Sequence, residues 1–157
     1  MVKIITPIDQ VDSTAQFTPG TRADTTDDNE YIYLPGTTSV AQYDFVNIRT
    51  ASALSYGSVT RMVYTNAGPV AIAQAAITAN SFGWFLIKGV GWGLAGEVAA
   101  NGSILYASGT TGYVGTTVAA NYGIYGALCV GAGQCVLTAA GTCKVLLNYP
   151  NLYGQVI

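Results

Sequence analysis

Residues 143–149 read Cys143-Lys144-Val145-Leu146-Leu147-Asn148-Tyr149. In an extended chain successive side chains point to opposite faces. Cys143, Val145, Leu147 and Tyr149 then share one face, and Lys144, Leu146 and Asn148 share the other, with Pro150 expected to end the strand. The same texture recurs upstream. Residues 31–34 (Tyr-Ile-Tyr-Leu) run into the turn signal Pro35-Gly36, and residues 40–49 are rich in β-branched and aromatic side chains. Residues 59–64 stop at Asn66-Ala67-Gly68-Pro69. Residues 70–77 are apolar on both faces and, bracketed by breakers, read as a fully buried strand. Residues 81–94 centre on Trp84-Phe85-Leu86-Ile87. Asn101-Gly102 is the strongest hairpin dipeptide of the chain. Beyond it come residues 104–106, residues 112–114, and one or two strands within 123–138.

Turn signals every 8–12 residues, roughly, with no helical period sustained over three turns, predict an all-β fold. The expected form is a compact β-sandwich or β-barrel of about eight to ten short strands. The first 30 residues differ from the rest. Pro7 and Pro19-Gly20 discourage regular structure there, and residues 24–30 carry no apolar side chain. The organisation expected is an extended N-terminal arm over residues 1–30 and a β-rich domain over 31–157. In the arm, Ile4, Ile5, Ile8, Val11 and Phe17 are spaced singly, which suits either a simply disordered terminus or anchors that drop into pockets on a neighbour. Trp92, flanked by Gly91 and Gly93, is the candidate contact residue of the body.

Composition narrows the function classes. Hydrophobic residues make up 50% of the 157 residues and charged residues only 9%, against about 25% charged in an ordinary soluble domain. A chain so poor in charge must hide surface in an assembly or a membrane, or rely on neutral polar side chains for solvation. Six of the eight acids lie in residues 1–30 against Lys3 and Arg22, a net charge of −4. The remaining residues hold Arg49, Arg61, Lys88 and Lys144 against Asp44 and Glu97, and nowhere do the bases cluster as a nucleic-acid surface requires. The start lacks the apolar core of a secretion signal, and no window holds 18 consecutive apolar residues. Neither nucleic acid nor membrane is expected as a partner, and residence in a cytosol is expected.

The motifs that could carry chemistry are incomplete. Gly91-Trp92-Gly93-Leu94-Ala95-Gly96 matches the dinucleotide fingerprint, but it meets Asn101-Gly102 too soon for the helix that would face a pyrophosphate, and no acid follows Glu97. There is no histidine to act as a base or to complete a metal site with Cys129, Cys135 and Cys143. Those cysteines read as small apolar strand residues. Asp27 and Asp28 are adjacent and point apart, and Asp44 and Glu97 are the only acids of the body. No enzyme activity, cofactor or metal is expected.

Several of these segments also carry a resemblance. The Tyr-rich strand at residue 31 is followed by Ala41-Gln42-Tyr43-Asp44-Phe45-Val46, and Gly83-Trp84-Phe85-Leu86-Ile87-Lys88-Gly89 comes after residues 70–77. Gly102-Ser103-Ile104-Leu105-Tyr106 and the closing Val145-Leu146-Leu147-Asn148-Tyr149-Pro150 complete the order. In order and flavour the chain resembles the small head decoration, or capsid cement, proteins of tailed bacteriophages. The resemblance implies a structural virion protein on the outer capsid surface, assembled in the host cytoplasm. Its partners would be the major capsid protein and itself, as a homotrimer, and it would carry no cofactor. The N-terminal arm and the Cys-containing strands depart from the family's pattern. A tail, spike or fibre adhesive component is the alternative, for which a repeat or long fibrous region would be the mark.

Overall fold

The computed structural model describes residues 2–3, 7–52, 55–63, 65–97, 100–116, 122–130 and 141–152. The described residues contain no helix. They form twelve strands: β1 (Val2–Lys3), β2 (Val11–Asp12), β3 (Arg22–Asp24), β4 (Glu30–Pro35), β5 (Phe45–Ser52), β6 (Ser55–Arg61), β7 (Gly68–Ala73), β8 (Phe82–Ala95), β9 (Ile104–Ala107), β10 (Val114–Gly115), β11 (Gly123–Cys129) and β12 (Gly141–Leu152). The all-β expectation holds. The count exceeds the expected one because two- and three-residue strands such as β1, β2, β3 and β10 carry too little pattern to read from sequence.

All strands join one hydrogen-bonded network, and its pairings close two rings that share β8. In the first ring β4 pairs with the front half of β8, β8 with β7, β7 with β5 and β5 with β6. A bridge between Gly36 and Val59 returns the ring to β4. Inside it sit Ile32, Leu34, Val46, Ile48, Val59, Ala71, Ala73, Phe85 and Ile87. In the second ring the back half of β8 pairs with β12, β12 with β11, β11 with β9, and β9 with β10, which meets β8 again at Ala95. Its core includes Leu105, Val114, Ile124, Cys143, Val145 and Leu147, and merges with the outer face of the first ring at Tyr33, Phe45, Ile72, Trp84 and Leu86. Strands β4, β7 and the front of β8 are therefore buried on both faces. That explains why residues 70–73 and 84–87 read as continuous apolar runs instead of alternating ones.

The long strands change phase where the rings meet. In β8, Trp84 and Leu86 face the larger core, whereas beyond Gly89 it is the odd-numbered residues that do. Gly89 sits at φ 105° beside Asn29, whose side chain leaves no room for a Cβ. A Cβ on Gly93 would lie 2.5 Å from the ring of Phe45, so the backbone of β8 is itself part of the core packing. In β12, Cys143, Val145 and Leu147 face inward as expected, but Tyr149 does not. It adopts φ 48° and stands half exposed. The strand also continues through Pro150 to Leu152, with Asn151 and Leu152 pairing to Tyr125 and Ile124. The register slips by two residues there, and Pro150 falls in the resulting bulge, where proline is tolerated within a sheet.

An ion pair with a buried carboxylate ties the two rings together. Asp44 is fully buried, and Arg61 grips it with both arms, Nε to Oδ2 at 2.6 Å and Nη2 to Oδ1 at 3.1 Å. The same carboxylate accepts the Ala41 N–H at 2.8 Å, and Arg61 donates to the Thr111 carbonyl at 2.9 Å. Around it the backbone is cross-linked: Leu94 donates to Tyr43, Phe45 to Gly112, and Gly112 to Met62. Gly112 has φ 83°, and a Cβ there would fall 2.3 Å from the Asp44 carboxylate. Val40 keeps a β-bridge to Ile77, but residues 41–44, expected as strand, are instead the turn that builds this junction, with Tyr43 at φ 68°.

The N-terminal segment is stitched to the body over residues 8–30. β3 pairs with β4, and β2 pairs with β8 at Phe82 and Gly83. The Phe17 ring lies 5.3 Å from the rings of both Tyr33 and Trp84. The Tyr33 hydroxyl donates to the mostly buried Asp12 carboxylate at 2.6 Å and accepts the Gln16 N–H at 3.2 Å. The boundary expected after residue 30 falls inside β4, whose first residue is Glu30 and which pairs with β3 of the N-terminal segment. Burial first, then the Asp12 carboxylate, pushes the Tyr33 hydroxyl up to about 12.

Two predictions follow from these contacts. Arg61→Ala leaves the Asp44 carboxylate buried without its partner, and should lower unfolding free energy by about 3–5 kcal/mol in urea titrations. Tyr33→Phe orphans one oxygen of Asp12 and should cost about 1–3 kcal/mol. Because the folded state holds the Tyr33 proton more tightly than the ordinary value of 10, its stabilising share is complete below pH 10. It should be lost as pH rises toward 12, and the wild-type and Tyr33→Phe midpoints should converge over that window.

Candidate functional site

Across the outer face of the second ring runs a row of aliphatic side chains. Val90 on β8 is the cross-strand partner of Leu146 on β12, Leu146 of Leu128 on β11, and Leu128 of Ile104 on β9. Their exposures are 39%, 38%, 37% and 54%. Trp92, two residues from Val90, is 38% exposed and lies opposite Lys144. With the exception of Val11, every large hydrophobic side chain exposed among the described residues belongs to β8, β9, β11 or β12. A shallow hollow of about 390 Å³ lies at one flank of the row, lined by Ile104, Tyr125, Leu128, Leu146 and Asn148 among others.

The local sequence explains why these side chains face out. In residues 88–93 glycines alternate with larger residues, and Gly91 and Gly93 face inward against Leu86 and Phe45. Val90 and Trp92 are therefore left on the outside. In β12 the inward set Cys143, Val145 and Leu147 leaves Lys144, Leu146 and Asn148 outward. The exposed charges beside the row, Lys88 and Lys144, are both cationic. The exposed carboxylates of Asp9, Asp27 and Asp28 belong to the N-terminal segment, which meets the row where Asn29 bonds both backbone groups of Val90.

The anticipated contact residues are divided by this geometry. Trp92 stands on the wall. Val11 is exposed on β2, on the far half of β8 from Trp92. Ile8 and Phe17 pack, half-buried, against the chain's own core. Ile4 and Ile5 lie outside the described residues. Sequence reading passed over Val90, Ile104, Tyr125, Leu128 and Leu146, although Leu146 carried a legible signal: it is a large apolar residue on the polar face of a cleanly alternating strand.

Of the acids weighed for chemistry, Asp27 and Asp28 are exposed and Glu97 accepts the Thr116 N–H at 3.2 Å. Asp44 is committed to Arg61. Glu30, nearly fully buried, accepts hydrogen bonds from Arg22 at 3.1 Å and from the Tyr149 hydroxyl, and this second bond raises the Tyr149 proton affinity. Arg22 and Lys88 both lie against the Tyr149 ring, at 5.8 and 6.0 Å from its centre. A second hollow of about 400 Å³ opens beside this cluster, floored by Ile32, Ile48, Val70 and Ile87. Residues 91–95 of the glycine motif are strand, with no helix following among the described residues. Cys129 is disulfide-bonded, so it is more than the small apolar strand residue expected, while Cys143 is a buried free thiol pushed up to about 11 by desolvation. No group of three or more His, Cys, Asp or Glu placed to hold a metal occurs among the described residues.

No protein-family model matches the chain, and a search of curated proteins finds no match either.

If the wall serves contact and not folding, its side chains are dispensable to stability. Leu128→Thr and Leu146→Thr, which keep strand propensity, should each shift unfolding free energy by less than about 1 kcal/mol. Urea denaturation of the two variants checks this against the large cost of Arg61→Ala.

Proposed function

We propose that this chain is a structural virion protein that binds the outer surface of a tailed-phage capsid and reinforces the lattice of the major capsid protein. The observation that carries the reading is the exposed aliphatic row on a rigid, closed β-scaffold. Contiguous apolar surface of this kind, rimmed by polar groups, marks contact with another macromolecule. The scarcity of charge supports the same reading, since 9% charged residues leave little to keep a solitary surface in water. So does the construction: two fused rings with few open edges make a stiff block, suited to bracing neighbours. The order of motifs shared with head decoration proteins selects the capsid among possible assemblies. In that setting Asp44, the acid of the Ala41-Gln42-Tyr43-Asp44 segment, acts as a scaffold residue, and the chain has no catalytic role.

Immunogold labelling of virions from the phage that encodes the chain tests this directly. The expected result is label distributed over the outside of the head, at many copies per particle. Label confined to the tail or fibres would overturn the capsid reading in favour of an adhesive component.

A further inference from the structure

We propose that Asn101 is a modification site whose chemistry the fold holds shut: it deamidates when β9 parts from β11, and not before. Asn101-Gly102 is the one Asn-Gly pair of the chain, and both residues are exposed to water. Glycine has no side chain to hinder its backbone nitrogen. That nitrogen can attack the side-chain amide carbon of Asn101. A C–N bond forms there, the amide C–N bond breaks, and ammonia leaves. Water then opens the five-membered imide to aspartate or isoaspartate, with no oxidant, cofactor or enzyme required.

Three hydrogen bonds oppose the first step. The Ser103 N–H donates to the Ala100 carbonyl at 3.0 Å and closes a four-residue turn. Within it Gly102 has φ 81° while Asn101 keeps a negative φ, the type II pattern. A type II turn holds ψ of its first central residue near about +120°, which points the Gly102 nitrogen away from the Asn101 side chain. The attacking nitrogen is also engaged. The Gly102 N–H donates to the Cys129 carbonyl at 2.9 Å, and the Cys129 N–H donates to the Ser103 carbonyl at 3.0 Å. Cys129 is fully buried and in register with Val145 of β12, so the acceptor cannot follow the turn outward.

The gate is therefore the pairing of β9 with β11, in which Leu105 lies opposite Ile124 and Ile104 opposite Leu128. Such elements open locally at a lower free energy than the whole fold. Opening frees the Gly102 N–H and lets ψ of Asn101 rotate. The product does not close as before. Aspartate makes the chain one unit more negative than its net charge of −2. Isoaspartate also lengthens the backbone by a methylene between residues 101 and 102, which puts Gly102 out of step with Cys129. Ile104 and Leu128 stand at that joint, so a modified chain has one end of the exposed row loosened. None of this chemistry depends on capsid binding.

The test compares the purified full-length chain with the free peptide Ala-Ala-Asn-Gly-Ser-Ile, the sequence of residues 99–104. Both are incubated at neutral pH, and peptide mapping follows the mass gain and the isoaspartate at Asn101. The folded chain should lose Asn101 more slowly than the peptide, by roughly tenfold or more. Leu105→Ala removes a fully buried side chain from β9. It should speed the loss of Asn101 and hydrogen exchange at the Gly102 amide by the same factor, since one opening exposes both. Where that variant fails to fold, urea below the unfolding transition should do the same to the wild-type chain. Loss at the peptide's rate in the folded chain would overturn the gate. So would faster Gly102 exchange that leaves Asn101 loss unchanged, or a Gly102 amide that responds to neither treatment.

Discussion

The bidentate contact between Arg61 and the fully buried Asp44 is the point on which both rings turn. A carboxylate with no solvent contact must be paired and hydrogen-bonded, or the site does not form. Here the guanidinium, the Ala41 N–H and the constraint on Gly112 all converge on it. The consequence is geometric. Residues 41–45 are held against β8 at Leu94 and against the loop at Gly112, so the first ring cannot slide against the second. Arg61 is only partly exposed, and its remaining hydrogen bond to Thr111 fixes that loop too.

The shared strand β8 carries the second constraint. A strand that serves two rings must present opposite faces to the same core along its length. Gly89 makes the change of phase, and Gly91 and Gly93 let Leu86, Phe45 and Ile72 close over the backbone. The glycines that allow this inner packing also send Val90 and Trp92 outward. The exposed wall is thus the other side of the device that joins the rings. Exposed wall and scaffold arise from one stretch of chain.

The N-terminal segment shows how an acidic, proline-punctuated stretch becomes part of a fold. Its composition could not bury a core of its own. Phe17 supplies a ring to an aromatic cluster already formed by Tyr33 and Trp84, and Asp12 supplies the acceptor that the buried Tyr33 hydroxyl needs. The remaining exposed acids, among them Asp27 and Asp28, stay at the surface beside β8, where Asn29 bonds both backbone groups of Val90.

The sequence by itself determined the strand character of the chain. Alternation at residues 143–147, continuous apolar runs at residues 70–73 and 84–87, and turn residues at short intervals are local properties, written in side-chain size and β-branching. It also determined the scarcity of charge, which points toward assembly. Only the tertiary structure decided the rest. Tyr149 turned outward because a bulge against β11 shifts the phase of β12, and a bulge depends on a partner strand that local pattern does not contain. Phe17 turned inward because the aromatic surface that receives it comes from residues far along the chain. The wall itself is built by long-range register: Val90, Ile104, Leu128 and Leu146 are scattered over four strands, each unremarkable alone. Hydrogen-bond pairing between distant segments aligns them into one row, and no period within any single segment encodes that alignment.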